Sequence, residues 1–386
     1  MESFKMNQDL LNEEEQLLKN TVADFSDKVL SERAASYDES GKFPWDNVSE
    51  IGQLGLFGLT IDEEYGGSGG TTRQLVVAAE EIARGCAATS VVYIAHLSLC
   101  TQYINMFGSA EQKAKYLPGL TSGQKIGAFA LSEPGAGSDA ANLKTGSVKT
   151  NGHFVVNGTK TWISNAPEAD VMVTMVTQDS TLGYKGIDSL IIDGDLDGIT
   201  VNKLNGKMGV RASTVGEIIF DNCHVPVTNR MGGDNVGFRQ TMSVLNASRI
   251  SIGAQCVGIA QSALEASIDY AKTREAFGSP IGDLQAIQWM IADMATETEA
   301  ARQLVMKAAT LRDNDLPFAT EASMAKLYCS RVAMDCAYKA VQIHGGTGYF
   351  APTPVERIFR DARVTEIYEG TSEIQRLVIA RNLLRD

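Results

Sequence analysis

Glu369 stands in the run Glu366–Gln375 (EIYEGTSEIQ), with Gly370 beside it and Thr371 and Ser372 following. A carboxylate facing an apolar pocket has its pKa raised, and a carboxyl titrating near neutrality suits proton abstraction. A solvated loop glutamate satisfies the same pattern. Ser372 and Gln375 have capping-box spacing, which predicts a helix starting at Thr371–Ser372. Three other places carry chemistry-bearing residues. In Leu131–Asp139 (LSEPGAGSD), Gly135 and Gly137 permit close backbone approach, and N–H groups with the Ser132 and Ser138 hydroxyls could cradle a pyrophosphate. The same loop also reads as a tight surface turn. In Thr161–Asn165 (TWISN), Trp162 offers a flat face to a conjugated ring and Ser164 a hydroxyl at its edge, although an isolated Trp on a strand also fits a core. In Gln342–Tyr349 (QIHGGTGY), Gly345, Gly346 and Gly348 exceed what a helix stop needs. A cofactor lying against the backbone would account for them, as would a helix C-cap followed by a turn.

The elements that must position these residues fall into three zones. Residues 1–125 read as an N-terminal α-helical domain. Leu10, Leu11, Leu17, Leu18, Val22 and Phe25 recur at helix spacing, as do Leu75, Val76, Ala79, Ile82 and Ala83. Residues 126–235 read as a middle β domain, a small antiparallel barrel or sandwich. Its strands are expected at Val171–Thr177, Ser189–Ile192 and Val215–Phe220, with a hairpin turning at Asn157-Gly158 inside His153–Ile163. Residues 236–386 read as a C-terminal helical bundle. One amphipathic stripe runs from Leu284 to Leu311, Asp315–Pro317 breaks it, and a second helix from Phe318 to Ile343 stops at Gly345-Gly346. The fold class is α+β, without the strand–helix alternation of a nicotinamide-binding sheet.

Composition narrows the function. The 386 residues and 44% hydrophobic content allow a large core, and the net charge of −13 with no basic run argues against nucleic acid. The six cysteines form no C-x-x-C pair, so free buried thiols are expected. The first residues lack a secretory or transit pattern and no window holds eighteen apolar residues, so a cytoplasmic protein with no membrane insertion is expected.

The weak signals coincide in one family. LSEPGAGSD and QIHGGTGY…RIFRDARVTEIYEGTSEIQRLVIAR resemble the two signature regions of the acyl-CoA dehydrogenases, and the likeness extends along essentially the whole chain, nearest to the short-chain, butyryl-CoA type. The resemblance implies an N-terminal helical domain, a middle β domain and a C-terminal four-helix bundle, assembled as a homotetramer with one FAD per subunit. It implies FAD contacts at Phe129, Ala130, Leu131, Ser132, Ser138, Trp162, Ile163, Ser164, Thr371, Ser372 and Glu373. It assigns Arg274, Phe277, Gln285 and Gln342, Ile343, His344, Gly345 and Gly346 to the ADP half of a neighbouring subunit's FAD. Ser138, Asn246, Ala247, Ser248, Arg249, Gly370 and Arg381 would face the acyl-CoA.

The implied reaction is α,β-dehydrogenation of a thioester. Glu369 would remove the α-proton while hydride leaves the β-carbon for flavin N5. The Glu369 N–H and a ribityl hydroxyl would stabilise the enolate charge. Some relatives carry the base on the helix near Ser248; here that stretch is NASRI, which has no acid, and YEG is intact. Arg249 would support Glu369 electrostatically. Asn246 stands where many members have Asp, and Pro352 where an acidic residue is usual. The acyl pocket is expected partly along Val91–Cys100, where Tyr93 and His96 either enter it or face away. Electrons would pass to an electron-transferring flavoprotein. An acyl-CoA oxidase, a cyclic, branched or dicarboxylic substrate, and a non-catalytic CoA-binding scaffold are the competing readings.

Overall fold

The computed structural model describes residues 11–384. The first helical layer comprises α1 (Glu13–Phe25), α2 (Ser31–Ser40), α3 (Trp45–Gln53), α4 (Thr72–Gly85), α5 (Ala87–Ile94), α6 (Gln102–Phe107) and α7 (Ala110–Thr121). A π-helical stretch, Ala95–Thr101, carries α5 into α6. The starts of α1, α4 and α7 have reciprocal capping boxes, from Asn12/Glu15, Thr71/Gln74 and Ser109/Gln112. In the first predicted stripe Val22 and Phe25 are buried, but Leu17 faces solvent and Leu10 lies outside the described residues. The Leu75–Ala83 stripe is buried throughout.

Seven strands follow: β1 (Gly127–Ala130), β2 (Gly146–Thr150), β3 (His153–Ser164), β4 (Val171–Thr177), β5 (Ile187–Asp193), β6 (Ile199–Lys203) and β7 (Val215–Pro226). They form one sheet in the order β1-β4-β2-β3-β7-β6, with β5 also on β4. The sheet is mixed, not purely antiparallel, because β1 runs parallel to β4 and so does the single β2–β4 pair. The expected hairpin is displaced. Its turn is the earlier dipeptide Asn151-Gly152, with φ of 47° and 81°, between β2 and β3. Asn157-Gly158 lies within β3 at a register shift against β7. Gly158 has φ 148°, and a Cβ there would lie 2.6 Å from Thr145 Cα, so only glycine passes.

The C-terminal helices are α8 (Gly237–Thr273), α9 (Gln285–Asp313), α10 (Ala319–His344), α11 (Pro354–Ala362) and α12 (Ser372–Leu383). One hydrophobic cluster runs through both helical zones, and a second fills the sheet around Phe154, Met172, Ile192 and Phe220. Helix α8 joins the zones because its buried face alternates bulk with small residues. A Cβ on Gly258 would lie 2.2 Å from Glu80 O, so α4 can approach only glycine there. Polar contacts fasten the same seam. Asp313, ending α9, accepts the Thr72 and Arg73 backbone N–H groups at 2.7 and 3.0 Å, and Arg302 meets Glu80 at 2.9 Å. All six cysteines are free and buried. No helix among the described residues is long and apolar enough to cross a membrane.

Candidate active site

The sheet, the helix α8 and the C-terminal segment meet around one cavity of about 1800 Å³, part of it open to solvent. From the sheet side come Phe129, Leu131, Ser132, Ser138, Trp162, Ile163 and Ser164. Trp162 reaches the cavity because β3 breaks its alternation. Lys160, Thr161 and Ile163 are buried while Trp162 is 70% exposed, with φ 61° at the register shift between Lys160 and Ile163. A left-handed tryptophan costs about 1–3 kcal/mol, and the bulge spends that strain on aiming the indole outward. Trp162 is therefore not the core residue that an isolated strand tryptophan suggests.

The adjoining loop is pinned from beneath. Glu133 accepts the Lys144 and Thr145 N–H groups at 2.6 and 2.9 Å and pairs with the fully buried Lys160 at 2.8 Å. Lys160 also donates to Leu131 O at 3.1 Å. Burial works to raise the Glu133 carboxyl, but Lys160 and the N–H donors outweigh it and hold it below the usual carboxylate value. With its underside fastened, the loop presents Gly137 and Ser138 to the cavity, and a Cβ on Gly135 or Gly137 would meet nothing within 4 Å.

Helix α8 contributes Phe238, Met242, Leu245, Arg249 and Ile252, one face at alternating steps of four and three. Val91, Ile94, Ala95 and Leu99 complete an apolar wall. Tyr93 and His96 face away. Tyr93 is buried and donates to Leu56 O at 3.3 Å. His96 accepts the Gly127 N–H through Nδ1 at 3.0 Å, which leaves Nε2–H to donate to Leu120 O at 3.0 Å. Burial pushes His96 down to about 4, so it is a neutral structural link.

Opposite the sheet side stand Ile367 to Thr371 and the α12 residues Ile374, Leu377, Val378 and Arg381. Glu369 and Gly370 both have positive φ, 50° and 95°. The Glu369 carboxyl accepts a hydrogen bond from the Ser248 hydroxyl. Burial pushes this carboxyl up to about 7, with Ser248, Lys326 and Arg249 pulling it back. Lys326 is fully buried and donates to Gly370 O at 2.8 Å. Gln375 donates to the same oxygen at 2.9 Å and to Glu369 O at 3.3 Å. The helix cap is thus Thr371, whose hydroxyl accepts the Ile374 N–H, and Gln375 holds the preceding carbonyls instead of forming a capping box with Ser372.

The comparisons with known proteins agree along the chain. The N-terminal, middle and C-terminal domains of acyl-CoA dehydrogenase match residues 12–124, 128–223 and 235–384. The mitochondrial short-chain specific acyl-CoA dehydrogenase of Homo sapiens is 46% identical over 375 residues, covering 97% of this chain and 91% of that protein. The chain belongs to the acyl-CoA dehydrogenase family. It is an oxidoreductase. The butyryl-CoA dehydrogenase of Megasphaera elsdenii superposes with a TM-score of 0.95 at 37% identity, covering 99% of this chain and 100% of that one. A glutaryl-CoA dehydrogenase from Mycobacterium smegmatis in complex with FADH2 superposes at 0.92 with 29% identity, over 97% and 96% of the two chains.

In this acyl-CoA dehydrogenase the remaining predicted residues lie elsewhere. The Ala130 side chain sits in the sheet core. Ala247 is buried, and Asn246 accepts from Arg249 Nη1 at 2.6 Å, so it orients the guanidinium. Ser372 and Glu373 line a separate groove with Tyr328 and Arg363, and Thr371 touches both. Arg274 and Gln285 are exposed and outside the cavity, and Phe277 is 95% exposed with φ 55°. Gln342, Gly345 and Gly346 are also exposed, whereas Ile343 is buried and His344 stacks on Tyr270 at 4.2 Å. That stacking joins the ends of α8 and α10, so the Arg274–Gln285 and Gln342–Gly346 segments share one end of the bundle.

The sequence reading did not single out Phe238, Met242, Leu245, Ile252, the apolar face of α12, or the buried lysines. The α8 residues announce themselves by spacing. Lys326 falls on the buried stripe Ala322, Lys326, Cys329 and Ala333, where a charge is out of place.

Proposed function

We propose that this acyl-CoA dehydrogenase oxidises a neutral, short acyl-CoA thioester to the 2-enoyl-CoA with FAD as cofactor and Glu369 as the base. The observation that carries the reading is a carboxyl, pushed up to about 7 by burial, on the same cavity as an outward-turned tryptophan and a glycine-serine loop. These residues fit a flavin. Phe129, Ala130, Leu131, Ser132, Ser138, Trp162, Ile163 and Ser164 would hold its ring and pyrophosphate, with Thr371, Ser372 and Glu373 beyond. The loop glycines leave room for a phosphate against the backbone. When bound, FAD supplies the hydride acceptor.

Glu369, ionised, removes the α-proton of the thioester. Its raised pKa keeps enough carboxylate at neutral pH and makes it a strong enough base to take a proton from carbon. The Glu369 N–H would donate to the thioester carbonyl as developing charge appears there. Ser248 and Arg249 orient and stabilise the carboxylate. Ser138, Gly370 and Arg381, which line the cavity, belong to the CoA side, whereas Asn246 acts through Arg249 and Ala247 is buried beneath. The apolar wall of Val91, Ile94, Ala95 and Leu99 excludes water from the proton transfer and favours a neutral acyl chain, since burying an ω-carboxylate there without a partner is costly.

Arg274, Phe277, Gln285 and Gln342–Gly346 gather at a surface away from the cavity, and the exposed Phe277 and Trp289 support a homotetramer in which that end completes a neighbour's FAD site. We divide the chain into domains at 1–125, 126–235 and 236–386, place it in the cytoplasm, and assign an electron-transferring flavoprotein as acceptor. The test is anaerobic titration of the purified flavoprotein with straight, branched and dicarboxylic acyl-CoAs. Bleaching is expected with short straight chains, and preferential bleaching by a dicarboxylic thioester overturns the substrate reading.

A further inference from the structure

Lys326 is the one fully buried cation facing the base among the described residues, and its position is odd for an ion-pair partner. Its ammonium goes to a peptide oxygen, Gly370 O at 2.8 Å, and not to a carboxylate. That oxygen belongs to the residue after Glu369, in a segment where both residues have positive φ and Gln375 supplies a second donor. The charged and titratable groups around the Glu369–Lys326 pair are few. Arg249 from α8 and Tyr368 interact with Glu369, while Arg249 and Cys256 from α8 and Glu366 from the C-terminal segment act on Lys326. Arg249 is occupied with Asn246, and its buried Nε has no hydrogen-bond partner.

We propose that Lys326 is a positioning residue for the base: it locks the Glu369–Gly370 bend through the Gly370 carbonyl and, by lying close without pairing, sets the pH at which Glu369 becomes a carboxylate. The inference rests on Glu369 being the base. The chemistry is direct. A hydrogen bond from an ammonium to a carbonyl fixes the backbone that aims the carboxyl, and its charge favours the ionised form of a neighbour at a distance. Burial pushes Lys326 down to about 8, with Cys256 and Glu369 opposing, so it remains charged at neutral pH.

The experiment compares Lys326→Gln, Lys326→Met and Lys326→Arg as flavin-loaded proteins, with turnover measured across pH. Both neutral variants are expected to move the acidic limb of the turnover profile upward by about one pH unit, so that turnover below the limb falls about tenfold relative to wild type. Lys326→Met is expected to lose further activity at all pH values, because it has no donor for Gly370 O. Lys326→Arg keeps the charge and is expected to keep the limb; if neither neutral variant folds, a limb in Lys326→Arg at the wild-type pH supports the proposal and a displaced one overturns it. An unmoved limb in a folded neutral variant also overturns it. Glu369→Gln separates the two ideas. If Glu369→Gln retains substantial turnover, the base assignment fails; if it is inactive while the neutral Lys326 variants keep the wild-type profile, only the role of Lys326 fails.

Discussion

Among the described residues two glutamates sit beside a fully buried lysine, and they end in opposite states. Lys160 pairs directly with the Glu133 carboxylate at 2.8 Å, where two backbone N–H groups also converge, and Glu133 is held below the usual carboxylate value. Lys326 donates at the same distance of 2.8 Å to a peptide oxygen beside Glu369, and Glu369 stands at about 7. The residue types are alike, and the difference lies in burial that only the donors around Glu133 outweigh: there the ammonium and two N–H groups reach the carboxylate itself, while Lys326 donates to a peptide oxygen. A satisfied carboxylate is a fixed charge that fastens a loop. A carboxylate whose lysine is spent on the backbone keeps its basicity.

Substitutions can break this contrast at either end. The largest effect is expected from Glu369→Gln, which should lower turnover by about 10²–10⁴-fold while the flavin stays bound, and retention of more than about a tenth of activity would refute the base assignment. Next comes Glu133→Ala. It leaves Lys160 buried and unpaired, so chemical denaturation should show a loss of about 3–5 kcal/mol, with poorer flavin retention. A corresponding loss from Glu369→Gln would erase the distinction.

The third effect has the reverse sign. Glu369 has a folded-state pKa of about 7 against an ordinary 4.5, so the native protein holds a proton that the unfolded chain releases between those values. Stability is then lost as pH rises through that window. Glu369→Gln should stabilise the protein at pH 8, by up to about 3 kcal/mol relative to its effect at pH 4, as read from melting temperatures at both pH values. The smallest effect is expected from Ser248→Ala. Removing the hydroxyl that donates to Glu369 should shift the acidic limb of the turnover profile upward by roughly one pH unit, at least as far as the neutral Lys326 variants shift it. A downward shift would mean that the hydroxyl favours the protonated acid.

The contrast also marks what a linear reading can see. Long stripes such as Leu75–Ala83 and the pair of helices around Asp315–Pro317 were legible because burial repeats with the helix period. The two Asn-Gly dipeptides were not distinguishable by type. One turns the chain and the other is a bulge, and the choice is made by Thr145, just ahead of β2, pressing on Gly158. Glu369 and Trp162 were legible as candidates, yet their exposure was not, because it follows from a bulge and from walls built by distant segments. The lysines were overlooked because their partners, Glu133 and the Gly370 carbonyl, lie 27 and 44 residues away. Residue type alone left Tyr93 and His96 open between pocket and core, since polar atoms on an apolar helix can be fully satisfied by backbone far along the chain.

Helix α8 is 37 residues long and unbroken. At a rise of 1.5 Å per residue it acts as a ruler, setting Arg249 and Arg274 roughly 37 Å apart. No small ligand gripped beside Arg249 can also be reached by the Arg274 end of the same subunit. If that end serves a flavin, it serves someone else's, and an isolated subunit owns only part of each pocket it helps to build. Cofactor retention would then be a property of the assembly, and dilution below the association threshold should bleed colour from the protein before it unfolds.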